Sequence, residues 1–251
     1  MNPTVPSLPV SVVMATYNGE RYLPVQLASV LGQLRGDDEL VIVDDGSSDG
    51  TLALIEALGS PHVRLHRNPC NLGVRRTFER ALALARHEVV FFCDQDDEWV
   101  AGKRDAFVAA FAADPGCMVV ISDAAIVDGE GRQTAPSFMA GRGGFRGDVL
   151  GTVIRNRYLG CAMAVRRPVV DVALPMPDDI PMHDMWFGAI GSLLGRVRHL
   201  PEPWLNYRRH GRNASPSSRA PWQQVLRWRV ALVRALLGRL PRIRRAGAAA
   251  R

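Results

Sequence analysis

Two acidic clusters constrain this sequence most, because each stops a short apolar run that reads as a β-strand. Residues 10–15 form the first apolar run, and Asn18 and Gly19 break it. Tyr22, Leu23, Leu27, Val30, Leu31 and Leu34 then follow at helical spacing. A second strand over 39–43 ends in Asp44-Asp45-Gly46, and Asp49 is placed to cap a helix carrying Leu52, Ile55 and Leu58. A third strand is expected at 63–66, a helix over 73–85, and a fourth strand over 88–93 that runs into Asp94-Gln95-Asp96-Asp97. A helix to about residue 113 and a strand over 118–122 complete the pattern. This β-α-β-α order predicts a parallel sheet with helices on both faces. Ligands of such sheets sit beyond the carboxyl ends of the strands, where both acidic clusters fall.

The second half is less regular. Asp128-Gly129-Glu130-Gly131 predicts a hairpin turn, 140–147 a surface loop, 158–165 a strand and 183–194 a helix. With 47% hydrophobic and 22% charged residues, the 251-residue chain is a globular protein rather than a disordered one. No apolar run is long enough to cross a bilayer, and residues 1–9 lack the basic and apolar regions of a signal peptide. Cys70, Cys93, Cys117 and Cys161 are widely spaced, as expected of reduced thiols in a cytoplasmic protein.

The charge is unevenly placed. The 49 residues from Pro203 onward hold 12 Arg and no Asp or Glu, leaving 19 basic and 25 acidic groups on the other 202. An acidic body with a basic tail calls for an anionic partner at the tail.

Asp94, Asp96 and Asp97 repel one another unless a cation sits among them. Their oxygens suit Mg²⁺ or Mn²⁺, which retain waters and bridge to phosphates; the plain alternative is a solvated loop capping the next helix. Asp44, Asp45 and Asn18 are turn residues by type and pocket walls by position. Asp184 opens a helix, where the dipole alone would favour it, yet a carboxylate facing a cleft can also act as a general base. His210, on a Gly-containing loop, can complete a metal site or meet a phosphate.

Taken together, Val10-Ser11-Val12-Val13-Met14-Ala15-Thr16-Tyr17-Asn18, Val43-Asp44-Asp45-Gly46-Ser47-Ser48-Asp49-Gly50-Thr51, Asn71-Leu72-Gly73 and Phe92-Cys93-Asp94-Gln95-Asp96-Asp97-Glu98-Trp99 resemble a family 2 glycosyltransferase over residues 10–212. Cys93-Asp94-Gln95-Asp96-Asp97-Glu98-Trp99, Asn156-Arg157-Tyr158-Leu159-Gly160-Cys161, His183-Asp184-Met185-Trp186 and Tyr207-Arg208-Arg209-His210 resemble its bacterial rhamnosyltransferase-like branch. The resemblance implies the GT-A fold of nucleotide-diphospho-sugar transferases, a Rossmann-like mixed α/β sheet flanked by helices. It would occupy 8–212, with a nucleotide-sugar half over about 8–122 and an acceptor half over about 123–212. It implies that Thr16, Tyr17, Asn18, Asp45, Asp94 and Gln95 bind the nucleotide-sugar donor and that Asp96 holds Mg²⁺ or Mn²⁺, with His210 as a further ligand. Asp184 would be the catalytic base. His183 stands where the family usually has Glu, and the family's Gln-x-x-Arg-Trp pattern occurs only at 224–228, beyond the apparent catalytic body. The implied reaction is an inverting transfer of one sugar, with dTDP-L-rhamnose as a donor, to a saccharide or lipid-linked acceptor in bacterial surface polysaccharide synthesis.

The tail, 219–251, predicts a basic amphipathic helix over 221–240 that ends at Pro241. Trp222, Val225, Leu226, Val233, Leu236, Leu237 and Leu240 are expected on one face, with Arg229 inside the stripe. That face either packs on the body or lies in an anionic membrane surface, which would place the protein at the inner face of the cell membrane. Nucleic acid is not expected, since the acidic body would repel phosphates. Three rivals stand beside this reading on sequence alone: a nucleotidyltransferase making sugar nucleotides, against which the lack of a Gly-rich phosphate loop with basic residues near the N-terminus speaks, a non-catalytic nucleotide-sugar-binding module and a membrane-docking scaffold.

Overall fold

The computed structural model describes residues 8–180, 182–211, 213 and 221–249. The start of the chain (1–7), the body's expected end at 212 and the first tail residues (219 and 220) lie outside the described residues.

Strands β1 (Val10–Thr16), β2 (Glu39–Asp44), β3 (Val63–Arg67) and β4 (Val89–Asp94) form a parallel block in the order β3-β2-β1-β4. Helices α1 (Leu23–Leu31), α2 (Thr51–Glu56) and α3 (Val74–Leu84) connect them. β1, β2 and β4 are almost wholly buried, which is why they read as unbroken apolar runs rather than alternating ones. The α2 cap is close to the expected one: Asp49 Oδ1 accepts from the Thr51 amide at 3.1 Å, although Gly50 holds the capping position.

Beyond β4 the chain adds β5 (Glu98–Trp99), α4 (Lys103–Ala113), β6 (Cys117–Val127), β7 (Gln133–Ala135), α5 (Val149–Ile154), β8 (Met163–Arg166), α6 (Arg167–Ala173), α7 (His183–Leu194), β9 (Arg196–Arg208) and α8 (Trp222–Ala249). The sheet runs β3-β2-β1-β4-β8-β6-β9-β5, with β7 paired to β6. It is mixed rather than parallel throughout, because β8 lies antiparallel between β4 and β6. The 128–131 turn joins β6 and β7 as expected.

The strand expected over 158–165 is shorter, since Gly160–Ala162 forms a 3₁₀ turn and only Met163–Arg166 pairs. The turn brings the Gly160 backbone against His183, and a Cβ there would come 2.7 Å from His183 Nε2. Neighbouring β4 side chains serve opposite faces. Phe91 packs on Trp99 and Phe107, with ring centroids 5.2 Å apart in each case. Phe92 meets Phe187 at 5.0 Å and Phe78 at 6.0 Å.

The C-terminal helix departs from expectation twice. α8 passes through Pro241 and reaches Ala249. A proline removes one intrahelical bond; here the carbonyl that loses its donor belongs to Leu237, which is exposed. Beyond the proline, buried Ile243 and an Arg242 Nη1 bond to the Leu174 carbonyl at 2.8 Å hold the helix to the body. The apolar residues also divide between two faces. Leu232, Leu236 and Ile243 are buried, whereas Trp222, Leu226, Val230, Val233 and Leu237 are exposed.

Asp38 pins the sheet to α4. Its carboxylate accepts from the Val10 amide at 2.9 Å, the Arg35 amide at 2.8 Å, and Arg104 Nε and Nη2 at 2.7 and 3.0 Å. Both partners of the ion pair are buried. Arg104→Met leaves that carboxylate without its counter-ion and should lower unfolding free energy by roughly 3 kcal/mol in urea titrations. An unchanged midpoint would refute the pinning role.

Candidate active site

The parallel register brings the strand ends level. Thr16 sits opposite Asp44, and Ala15 opposite Asp94. The loops that follow are laced together. The Asn18 amide donates to Ser47 Oγ and Asn18 Oδ1 accepts from the Ser48 amide, both at 2.9 Å. Asn18 takes a left-handed conformation with φ of 47°, which asparagine tolerates better than most residues. Asp44 Oδ2 accepts from the amides of Gly46 and Ser47, closing the turn. Asp45 is buried, and its oxygens hold Asn68 Nδ2 at 2.7 Å and the Leu72 and Gly73 amides at 2.9 Å. In this state Asp45 anchors the 68–73 loop rather than presenting a free carboxylate.

Gln95 joins the two sides of the pocket. Its Oε1 accepts from the Tyr17 amide at 2.9 Å, and its Nε2 donates to the Tyr17 carbonyl at 3.1 Å. Gly19 permits this approach, since a Cβ there would lie 2.3 Å from Gln95 Oε1. Tyr17 itself is 45% exposed. Thr16 is buried, with its hydroxyl 3.4 Å from Asp44 Oδ1.

The β4 end gathers charge. Burial, and then the neighbouring Asp96 charge, push Asp94 up to about 7; Asp184 adds to that repulsion. Asp97 is raised well above the ordinary carboxylate range, by burial first and then by Asp96 and Asp94. Asp184, in the first turn of α7, is lifted to about 6 by burial, against the Met185 amide at 2.6 Å and Asn156 Nδ2 at 3.3 Å. Residues from both halves of the chain therefore meet in one electrostatic environment. His183 stacks on Phe78 at 4.7 Å and is lowered to about 4 by burial, so it stays neutral beside Asp184.

Arg208 and Lys103 are fixed around this strand end. The Arg208 amide donates to Asp97 Oδ1 and Arg208 Nε to the Asp96 carbonyl, each at 2.9 Å. Lys103 is fully buried, donates to the Cys161 carbonyl at 2.7 Å and lies 4.5 Å from the Trp99 ring centre. Burial lowers Lys103 to about 8, while attraction to Asp97 and Asp94 opposes the drop. Lys103 carries no sequence signal, because a lysine opening a helix looks like any surface residue. Arg208 and Asn156 lie within recognisable motifs, but only the fold shows what they touch.

Among the described residues, two donor sets could hold a cation. Asp94, Asp97 and Cys161 place ligand atoms within 4.8 Å of one another. Burial keeps that thiol protonated, Asp97 already accepts from Arg208, and Lys103 supplies a charge nearby. A hard divalent ion that keeps its waters fits this buried set poorly. The other set is Asp96 and His210, whose Oδ2 and Nε2 lie 2.7 Å apart with Asn213 Nδ2 at 3.2 Å from the same oxygen. Both side chains retain access to solvent, and an oxygen with an imidazole suits a hydrated divalent cation.

The fold is that of the GT-A glycosyltransferases. The family model described as Glycosyl transferase family 2 matches residues 11–172, and the chain belongs to that family. An uncharacterised glycosyltransferase from Nostoc sp. is 30% identical over 214 residues, 81% of this chain and 66% of the relative. Escherichia coli WfgD, a UDP-Glc:α-D-GlcNAc-diphosphoundecaprenol β-1,3-glucosyltransferase, is 33% identical over 96 residues, 38% of each chain. The structure of S. aureus TarS 1–349 in complex with UDP-GlcNAc superposes with a TM-score of 0.69 at 19% identity, covering 90% of this chain and 66% of that one. The chain thus spans about two thirds or less of these proteins.

The buried Asp184 charge has a stability signature. Its folded value of about 6 exceeds the ordinary 3.8, so the folded state holds a proton that the unfolded state releases earlier. Stability falls as pH rises from about 4 to 6 and stays lower above that. Asp184→Asn should therefore stabilise the protein at pH 8 by up to roughly 3 kcal/mol, with the gain vanishing near pH 4. Thermal melts of both proteins across this range check the trend, and a pH-independent difference would contradict it.

Proposed function

We propose that this chain transfers one sugar from a nucleoside diphosphate donor to a hydroxyl of a saccharide or lipid-linked acceptor, with inversion at the anomeric carbon and with Mg²⁺ or Mn²⁺. The observation that carries the reading is that Asp184, from the second half of the chain, lies close enough to the end of β4 for its charge to add to the rise of Asp94. We take 8–212 as the catalytic body, divided near 122, and 219–251 as an appendage.

The donor occupies the edge formed by Thr16, Tyr17 and Asn18, with the base against the Tyr17 ring. Gln95 sets that ring through the Tyr17 backbone, and Asp45 shapes the pocket by holding Leu72 and Gly73. Asp94 faces the ribose and diphosphate. Asp96 and His210 would hold the divalent ion, which when bound would offset charge on the leaving diphosphate. Asp184 accepts the proton of the acceptor hydroxyl as its oxygen bonds to the anomeric carbon and the diphosphate departs. A carboxylate near 6 is ionised at neutral pH yet more basic than an exposed one.

A pyrimidine nucleotide is the donor class we favour. TarS was solved with UDP-GlcNAc, WfgD is named for UDP-Glc, and dTDP-L-rhamnose, the donor of the branch this chain resembles, also carries a pyrimidine. The acceptor belongs to surface polysaccharide assembly, and the protein would work at the inner face of the cell membrane. WfgD is named for a diphosphoundecaprenol-linked acceptor, and the E. coli relative WcaA for colanic acid biosynthesis.

Four outcomes follow from these roles. UDP- or dTDP-sugars with Mn²⁺ should raise the melting temperature by roughly 5 °C at saturating concentration, and GDP-sugars should not. Asp96→Ala should weaken Mn²⁺-dependent donor binding by at least about tenfold in calorimetry; unchanged binding removes Asp96 from the metal site. Asp184→Asn should keep donor binding and lower kcat by about 10²–10⁴-fold. In the parent protein kcat should rise with pH through an apparent pKa of about 6, as the base loses its proton. A flat profile there would remove Asp184 as the base.

A further inference from the structure

We infer that the outward face of α8 is a docking surface for an anionic lipid bilayer. This deepens the proposed membrane location by assigning the residues that make the contact. Trp222, Leu226, Val230, Val233 and Leu237 are 73, 55, 59, 40 and 60% exposed. At 3.6 residues per turn they fall within an arc of about 80°. The packing needs of the helix are already met on another face, where Leu232, Leu236 and Ile243 are buried against the body. The outward stripe therefore has no role in holding α8 in place.

Charge selects the occupant. α8 carries seven Arg and no Asp, Glu or Lys. Arg227, Arg234 and Arg245 lie along one edge of the stripe and are exposed, and Arg229 lies along the other. Arg229, Val230, Val233, Arg234 and Leu237 line a shallow apolar hollow between two guanidinium groups. Asp179 is the acid that lines the adjoining hollow. An apolar stripe with a Trp at one end and exposed Arg along one flank fits acyl chains below and anionic headgroups beside it. A second copy of the same face would set Arg against Arg.

The inner face gives the docked protein an orientation. Arg229 Nη1 lies 3.3 Å from Met185 Sδ, next to Asp184, and the Arg239 guanidinium lies 5.8 Å from the Trp186 ring centre. Seating the stripe in a bilayer sets the start of α7 close to the lipid surface, where a lipid-linked acceptor presents its hydroxyl. That orientation rests on the role proposed for Asp184; the docking does not.

The test is flotation of the full chain with vesicles. The parent protein should float with phosphatidylcholine vesicles containing phosphatidylglycerol, less so as salt rises, and not with pure phosphatidylcholine. The combined variant Leu226→Ser/Val230→Ser/Leu237→Ser should lower the bound fraction at least about tenfold, since apolar area drives insertion. Arg227→Gln/Arg234→Gln should weaken binding and flatten its salt dependence. Donor binding measured in solution, and the melting temperature, should stay near the parent values in both. Parent protein that fails to float, or stripe variants that float equally, would overturn the proposal. So would equal binding to both vesicle types, or a concentration-dependent dimer that only the stripe variant dissolves. Loss of donor binding in the parent with flotation intact would sink the enzymatic reading and leave the docking standing.

Discussion

Negative charge held out of water at one edge of a sheet is the constraint around which this protein is built. Parallel register brings the ends of β1, β2 and β4 level, so any acids placed there share a hollow. Burial first, and then the charge of their neighbours, raises their affinity for protons, as Asp94 and Asp97 both show. The fold answers from two other parts of the chain: Lys103 of α4 donates to the Cys161 carbonyl close to these acids, and Arg208 of β9 holds Asp97 through its amide and the Asp96 carbonyl through its guanidinium. What remains is the Asp96 carboxylate paired with the His210 imidazole, both keeping some access to solvent, an arrangement suited to a hydrated ion and a phosphorylated ligand.

Much of the first half was legible because its physics is local. Fully buried parallel strands must be apolar along their whole length, and turns at their ends need Asp, Asn and Gly, so strand positions and acidic edge appear together. The second half was harder because its elements are specified by distant partners. β8 pairs for four residues and is preceded by a turn shaped around His183, neither of which periodicity reports. Among the site residues, the acids announce themselves by clustering, whereas the use of Gln95 as a brace for Tyr17 depends on two loops meeting. Asp45 illustrates the same point: its motif suggests a ligand contact, and its hydrogen bonds show a carboxylate occupied by neighbouring backbone.

The C-terminal helix shows how periodicity can merge two functions. Summed over the helix, its apolar residues look like one broad stripe. The structure separates them into a face that attaches α8 to α6 and α7 and a face directed outward. Pro241 was expected to stop the helix by its chemistry, yet a single lost bond on the solvent side is outweighed by contacts on both sides of it.

The position of β8 also bears on how the chain is made. β4 is complete at Asp94, but the strand that covers its free edge begins at Met163. At synthesis rates of about 5–20 residues per second, that edge waits several seconds on the ribosome with its backbone groups unpaired. An apolar strand left open is a template for pairing with other nascent chains. Newly made copies should therefore depend on chaperones until the later segment emerges and closes the sheet.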